Sequence, residues 1–473
     1  MITDLELAVA TLLAKTQYYN TFFAYYEGRQ PLVYSNDRLK EVFKGRNARF
    51  TENWCAVVVD SVHERIQLRR ITVADDDAAT KQLDMLLSSS DLLLEADDCH
   101  LAALVAGESY MIVWTDEESG EVEAYYNDPR TVHLFYESNS PRKKRFACKW
   151  WIDDEGYRNL TLYYPDRFEY YKSKRPVQSY TRGMASSYNE VTSGKSFDEP
   201  TSEVNPHATV PVFHFRRDRR RIGSELQNVI EPQDAVNKLV ADMMVTAEFG
   251  AFKQRWVISN ADTSKLKNSP NGIWDIPAGD GEDQATSVGE FDITPLDNYI
   301  KAIDKFTVDI AIISRTPKHY FYGQGGDPSG EALIAMEAPL NHKAQKYIDR
   351  FTATWSELAA FMLRLAGAGE IDDNAIVPIF DKPETVQPYT QSLIRKESVA
   401  AGIPLMWQME QEGYSEQELA DLEDARTEQA DQQTERMAQV MEQRASSFAQ
   451  NGNNNGNGAQ QNGQPPRGTR NSA

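Results

Sequence analysis

Residues 224–250 read SELQNVIEPQDAVNKLVADMMVTAEFG, and residues 294–316 read TPLDNYIKAIDKFTVDIAIISRT. Each stretch has the marks of a helix with a start, one apolar face and a stop. Ser224 and Gln227 have capping-box spacing, Pro232 falls where a first helical turn accepts proline, and Gly250 follows the last turn. Between them Val236, Leu239, Val240, Met243, Met244 and Ala247 recur at the i, i+3, i+4, i+7 spacing of one helix face. The second stretch opens on Thr294-Pro295-Leu296-Asp297, again with box spacing and an early proline. Its stripe is Leu296, Tyr299, Ile300, Ile303, Phe306, Ile310 and Ile313, and Thr316-Pro317 stops it. At about 1.5 Å of rise per residue, each rod is roughly 30 Å long. The pair reads as a stalk. Residues 251–293 form a small lobe between its two rods, strand-like at 255–258 and 273–276.

Two rods cannot enclose a core, because each stripe needs more cover than one partner gives. Lateral packing against copies of the same chain meets that need, and a side-by-side contact that repeats and closes makes a ring with a channel. A monomer whose stripes are buried against the rest of the chain meets it as well, and the pattern leaves both open.

Outward from the stalk, residues 317–328 contain Lys318-His319-Tyr320-Phe321-Tyr322-Gly323-Gln324-Gly325-Gly326, an aromatic and glycine-rich loop. Ser329 can cap a third, long helix to about Ala366, with a kink expected at Pro339 because proline lacks a donor and crowds the preceding turn. Upstream, 5–26 reads as a helix ending at Gly28, 53–65 as a buried helix or strand, and 91–106 as a helix. The period then changes to that of strands at 110–114, 121–126, 147–152 and 159–164, with short polar turns between them, giving an antiparallel β region. Residues 172–209 are rich in Ser, Thr and Lys and read as a long mobile loop. Downstream, 415–448 reads as an acidic helix with a Ser415–Glu418 box. The Asn-, Gln- and Gly-rich residues 449–473 are expected to be disordered.

The whole chain has 473 residues, 41% of them hydrophobic and 26% charged, which is ordinary for a globular protein; the helices read on either side of an antiparallel β region put the fold in the α+β class. Its 71 acidic against 50 basic residues leave a formal charge of −21. That balance argues against a tight general nucleic-acid binder, which needs a basic face to displace counterions, but not against a wall past which nucleic acid slides. Three widely spaced cysteines fit a reducing compartment and give neither a disulfide framework nor a zinc pattern. No signal peptide or membrane segment is read. The most apolar run, 101–114, is short and holds Glu108, so cytoplasmic synthesis is expected.

Chemistry-bearing motifs are sparse. Ser193-Gly194-Lys195-Ser196 looks like the end of a phosphate loop, but Asn189 stands where the upstream glycine belongs and no apolar strand precedes it. The seven histidines lack metal-ligand spacing, and no nucleophile elbow is present. Neither a catalytic site, a metal nor a cofactor is expected. Arg216, Arg217, Arg219, Arg220 and Arg221 form a dense basic run, read as ion pairing or a solvated loop ahead of a nucleic-acid or capsid contact.

Several fragments, in order, resemble the portal proteins of long-tailed (siphovirus-type) bacteriophages. They are Tyr25-Tyr26-Glu27-Gly28, Asn53-Trp54-Cys55 with Val59-Asp60, Pro211-Val212-Phe213-His214-Phe215, and Gly223-Ser224-Glu225-Leu226. Gln233-Asp234-Ala235-Val236-Asn237-Lys238, Ala247 to Phe252, Gln254-Arg255-Trp256, Thr316-Pro317 with His319-Tyr320-Phe321, and Ser329 to Leu333 complete the set. Lys253 departs from the proline common before Gln-Arg-Trp. The resemblance spans about residues 18–366.

The resemblance implies a portal fold assembled as a ring of twelve. It implies a wing at 1–223, stem helices at 224–250 and 294–316, a clip at 251–293 and a tunnel loop at 317–328. A long kinked wing helix with a return strand at 329–380, a helical crown at 381–448 and a polar tail would follow. It implies double-stranded DNA in the channel during packaging and ejection, and a place at the capsid vertex of the virion. Its implied partners are terminase, a head–tail adaptor, the major capsid protein and scaffold, with no membrane. On this reading Lys318, His319 and the residues to Gly326 face DNA. Val236, Leu239, Val240, Met243, Met244, Tyr299, Ile303, Phe306 and Ile310 form subunit seams, the second stem helix lines the hole, and Arg255, Trp256 and Trp274 dock partners. The competing classes are a DNA-processing nuclease or ATPase, which would need a carboxylate–metal cluster or a full phosphate loop, and a capsid or tail protein without a channel.

Overall fold

The computed structural model describes residues 2–31, 51–116, 120–181, 184–187, 191–218, 221–250, 255–258, 287–292, 295–321, 330–384, 388–411, 414, 419–420, 422–427, 430, 432 and 434–441. The chain divides into two units, Met1–Gln387 and Pro388–Ala473.

The first unit opens with α1 (Asp4–Tyr26), where Thr3 and Glu6 form a complete capping box. The segment 53–65, open between helix and strand in the sequence, is helix α2 (Trp54–His63), capped by Asn53. It is followed by β1 (Leu68–Val73), α3 (Asp77–Ser89) and α4 (Leu92–Ala106). Strands β2 (Glu108–Thr115), β3 (Val122–Asn127), β4 (Val132–Glu137), β5 (Ser140–Ile152), β6 (Arg158–Tyr163) and β7 (Arg167–Lys172) then run in series.

The expected mobile loop at 172–209 is corrected in part. It contains the hairpin β8 (Gln178–Thr181) and β9 (Met184–Ser187), and β10 (Thr201–Val204), which pairs with β7. Val177, Val191 and Phe197 from this segment are buried with Ala8, Val9 and Leu12 of α1. Three scattered apolar side chains in a polar stretch anchor it, and no period announces them.

β11 (Val212–Arg216) precedes α5 (Ile230–Gly250), the ribbon β12 (Arg255–Ile258) and β13 (Ser287–Glu290), and α6 (Asp297–Ser314). α7 (Gly330–Leu365) runs through Pro339, and β14 (Ile376–Phe380) closes the unit by pairing with β1. The larger sheets have the orders β10-β7-β6-β5-β4 and β11-β2-β3. All the pairings are antiparallel.

Both helix starts in the stalk differ from expectation. α5 begins six residues after Ser224, whose hydroxyl instead accepts from the Leu226 N–H at 2.9 Å within a turn. That turn rests on the end of α4, because the Glu225 N–H donates to the Leu104 carbonyl at 3.0 Å. Gly107 ends α4 at φ +94, and a Cβ there would meet the Gly223 backbone nitrogen at 2.6 Å. At α6, Leu296 holds the cap position with no side-chain cap bond, and Thr294 lies outside the described residues.

One large core joins α2, α4, β2, β11, α5, α6 and α7, with Trp355, Phe351, Phe215 and Tyr19 among its buried members. At its centre His100 stacks on Phe351 (4.9 Å between ring centres) and accepts the Trp355 indole N–H at 2.9 Å. Burial holds His100 down to about 3, so it stays neutral.

The second unit contains α8 (Pro388–Ala400), α9 (Leu405–Gln411) and helical residues between 419 and 441. Met437, Val440 and Met441 lie at i, i+3, i+4 spacing and are exposed. Ser415, Glu418 and the expected disordered residues 449–473 lie outside the described residues. No described helix is long and apolar enough to cross a membrane.

Candidate functional site

The two stalk helices pair directly. Thr246 near the end of α5 and Tyr299 near the start of α6 share a hydroxyl–hydroxyl contact of 3.1 Å, so the helices run antiparallel with β12–β13 between them. The root of this hairpin is buried in the chain's own core: Val236 and Ile310 are inaccessible and Val240 nearly so. These three positions, expected at a subunit seam, are therefore satisfied internally. Ile303 and Phe306 pack at the margin of the same core, and Leu239, Met243 and Tyr299 are half-buried. The side chains left outward are Met244, Ile300, Ile312 and Ile313, with Ile312 61% exposed. Ile312 was outside the sequence stripe, because a stripe counted from one face omits a neighbour just off it.

Polar side chains lock the root. Gln233, fully buried, accepts the Trp54 N–H at 3.0 Å and donates to Asn237 Oδ1 at 3.1 Å. Asn237 in turn accepts the Glu52 N–H at 3.2 Å, and Asp234 accepts the Tyr25 hydroxyl at 2.8 Å. The fragment 233–238 is thus a clamp on the fragments around Tyr25 and Asn53.

The segment after α6 is held from behind. The Arg65 guanidinium donates to the Tyr320 hydroxyl at 2.6 Å and to Asn341 Oδ1 at 2.9 Å, and it lies 3.4 Å from Glu337. Phe321 is buried against Trp54, with ring centres 5.3 Å apart. Of the residues expected to face a channel, Phe321 is thus buried and Tyr320 half-buried and tied to Arg65. Lys318 is exposed and His319 half-exposed, while Tyr322, Gly323, Gln324, Gly325 and Gly326 lie outside the described residues.

The sequence profile of the phage portal proteins, SPP1 Gp6-like, matches residues 10–434 of this order of elements. The chain belongs to the phage portal protein family. No curated protein matches it.

In this portal chain the basic run is not one patch. Arg217 is drawn inward: its guanidinium donates to Glu225 Oε1 at 2.9 Å and to the Tyr347 hydroxyl at 3.1 Å. Lys343 completes the knot at 2.9 Å from Glu225 and donates to the Ser314 carbonyl at 2.7 Å, tying α6 to α7. Burial would raise the Glu225 carboxyl, but Lys343 and Arg217 outweigh it and hold it low. Arg216 lies over the Tyr136 ring at 5.2 Å and Arg221 is exposed; Arg219 and Arg220 lie outside the described residues.

On the ribbon, Arg255 pairs with Glu290 at 3.4 Å. Trp256 lies so close over Gly289 that a Cβ there would meet its ring at 2.4 Å. Trp274 lies outside the described residues. The exposed apolar side chains here are Ile258, Val288 and Phe291, none of which motif reading singled out.

A buried polar cluster also escaped the sequence. Glu108, with no exposure, accepts the Tyr19 hydroxyl at 2.5 Å, contacts Lys15 and lies 2.9 Å from His214 Nε2. Burial alone would raise its carboxyl, but Lys15 and His214 outweigh that and hold it well below the carboxylate range. Burial, with Lys15 nearby, takes His133 down to about 3. These groups come from α1, β2, β4 and β11, so linear spacing cannot show them. Among the described residues, no group of three or more His, Cys, Asp or Glu side chains could hold a metal ion.

Proposed function

We propose that this portal chain forms a ring of about twelve subunits around a channel for double-stranded DNA, entered during packaging and left during ejection. The observation that carries the reading is the helical hairpin of α5 and α6. Its root is locked into its own chain, while Met244, Ile300, Ile312 and Ile313 remain outward. An apolar surface of that kind is covered most simply by the same element of a neighbouring copy.

In this assignment residues 1–223, with α7 and β14, are the wing. The α5–α6 hairpin is the stem, 251–293 the clip and 381–448 the crown. Residues 317–328 are the tunnel loop, with Lys318 and His319 toward DNA and Tyr320 and Phe321 as its anchors. Ile258, Val288 and Phe291 add an apolar docking face to the clip for the terminase and then the head–tail adaptor. The net charge of −21 supports passage without adhesion, since a wall of fixed cations would hold a rod carrying one charge per about 1.7 Å. The role is structural, in the capsid vertex of the virion, and involves no cofactor.

Electron microscopy of the purified chain tests it. Rings with a central hole are expected, and Ile312→Asp should lower the ring fraction without unfolding the subunit. A chain that stays monomeric at every concentration, in infected cells as well, overturns the reading. Lys318→Ala should alter DNA retention with rings intact.

A further inference from the structure

Beside the first unit's core lies a cleft of about 720 Å³ into which three guanidiniums open, Arg142, Arg216 and Arg350. Arg216 rests on Tyr136, and Arg350 donates to the Arg217 carbonyl. Among the described residues none of the three has a carboxylate partner. Lys144 opens into the same cleft but is paired with Glu357 at 2.7 Å, and Asp373 is the other carboxylate there. Four cations thus face two carboxylates, in a chain whose overall balance is strongly the other way. The floor is fixed: His214 bridges Tyr136 (3.2 Å) and the buried Glu108 (2.9 Å), so Tyr136 and the Arg216 above it are held in place.

We infer that this cleft receives carboxylate side chains of a second copy of this chain, as an ion-pairing socket between neighbouring subunits. The inference rests on the ring reading above. Forked guanidiniums match carboxylates in a bidentate way, and a concave, partly desolvated site strengthens such pairs over exposed ones. Duplex DNA fits less well. Its charges lie along a convex rod, whereas these arginines line the inside of a cleft whose own Glu357 and Asp373 would face the phosphates. An acidic sister chain supplies single carboxylates in abundance.

The test compares the wild-type chain, the double variant Arg142→Glu with Arg216→Glu, and Arg142→Lys. Mass photometry should show the double variant needing at least a tenfold higher concentration for half-assembly, with the wild-type circular dichroism spectrum. Arg142→Lys places an amine in the cleft. Zero-length carbodiimide coupling of mixed light and nitrogen-15-labelled subunits should then give a peptide joining that introduced amine to a carboxylate of the other isotope. This second readout stands even where the double variant fails to fold. An unchanged assembly concentration, links confined to one isotope, or lost duplex-DNA binding with unchanged assembly would each overturn the socket while leaving the ring reading intact. A wild-type chain that forms no rings overturns the ring reading, and the socket with it.

Discussion

Lowering the pH from 7 to 5 should cost the first unit about 2 kcal/mol through His100 alone. In the folded chain this imidazole is buried and stacked on Phe351, and its Nε2 accepts the Trp355 N–H, a bond that only the unprotonated nitrogen can make. Burial holds its folded value at about 3, whereas an unfolded histidine titrates near 6.5. A folded value below the unfolded one means that the unfolded chain takes up the proton first. The stabilisation is complete above about pH 6.5 and is lost as pH falls toward 3. At pH 5 the gap already used is about 1.5 units, at 1.36 kcal/mol each. The assay is urea unfolding at pH 7, 6 and 5 for the wild-type chain and His100→Gln, whose amide oxygen can accept from Trp355 but does not titrate. The variant should be less stable at pH 7, having lost the stack, yet lose about 2 kcal/mol less between pH 7 and 5. His133 titrates in the same window in both proteins and cancels from the comparison. Equal losses in the two proteins would refute the assignment of a neutral, buried His100.

Phe321→Ala removes the ring packed on Trp54 and should cost about 3 kcal/mol or more in thermal or urea unfolding. Through the loop root, it should also raise hydrogen exchange at Lys318–Tyr320. Lys15→Met takes the ammonium from the buried Glu108 and should cost about 3–5 kcal/mol at pH 7. Because the variant raises the Glu108 carboxyl, the deficit should shrink as the pH is lowered toward 4, and a pH-independent deficit would argue against it.

Helix faces were legible wherever one period ran long enough. The α5 and α6 stripes and the strands read at 110–114, 121–126, 147–152 and 159–164 follow from side-chain spacing, a property of neighbouring residues, whereas β4 and the Thr3–Glu6 capping box of α1 were not read. Helix starts were less legible: Ser224 has box spacing but caps nothing, because the turn it belongs to docks on α4 through Glu225 and Gly107. The segment 172–209 hid its strands because its anchors, Val177, Val191 and Phe197, are too far apart to set a period. The candidate site was half legible. The loop after α6 stood out by composition, but its inward and outward residues could not be told apart, because Tyr320 and Phe321 are tied by Arg65 and Trp54, which lie more than 250 residues away in the chain.

Taken alone, the sequence determined two stalk helices with a lobe between them and a long helix after them, the acidic balance and one ordered set of fragments from Tyr25 to Leu333, since all three are written along the chain. Which apolar side chains are buried in the chain's own core and which stay exposed was decided only by tertiary structure. Val236 and Ile310 lie in the same stripes as Met244 and Ile313; Met244 lies about two turns farther from the root, and Ile313, on the root turn itself, is rotated off the face that the core covers. The fates of Arg216 and Arg217 were decided in the same way. Arg216 ends strand β11 and opens into a cleft, whereas Arg217 stands one residue past the strand and meets Glu225 and Tyr347.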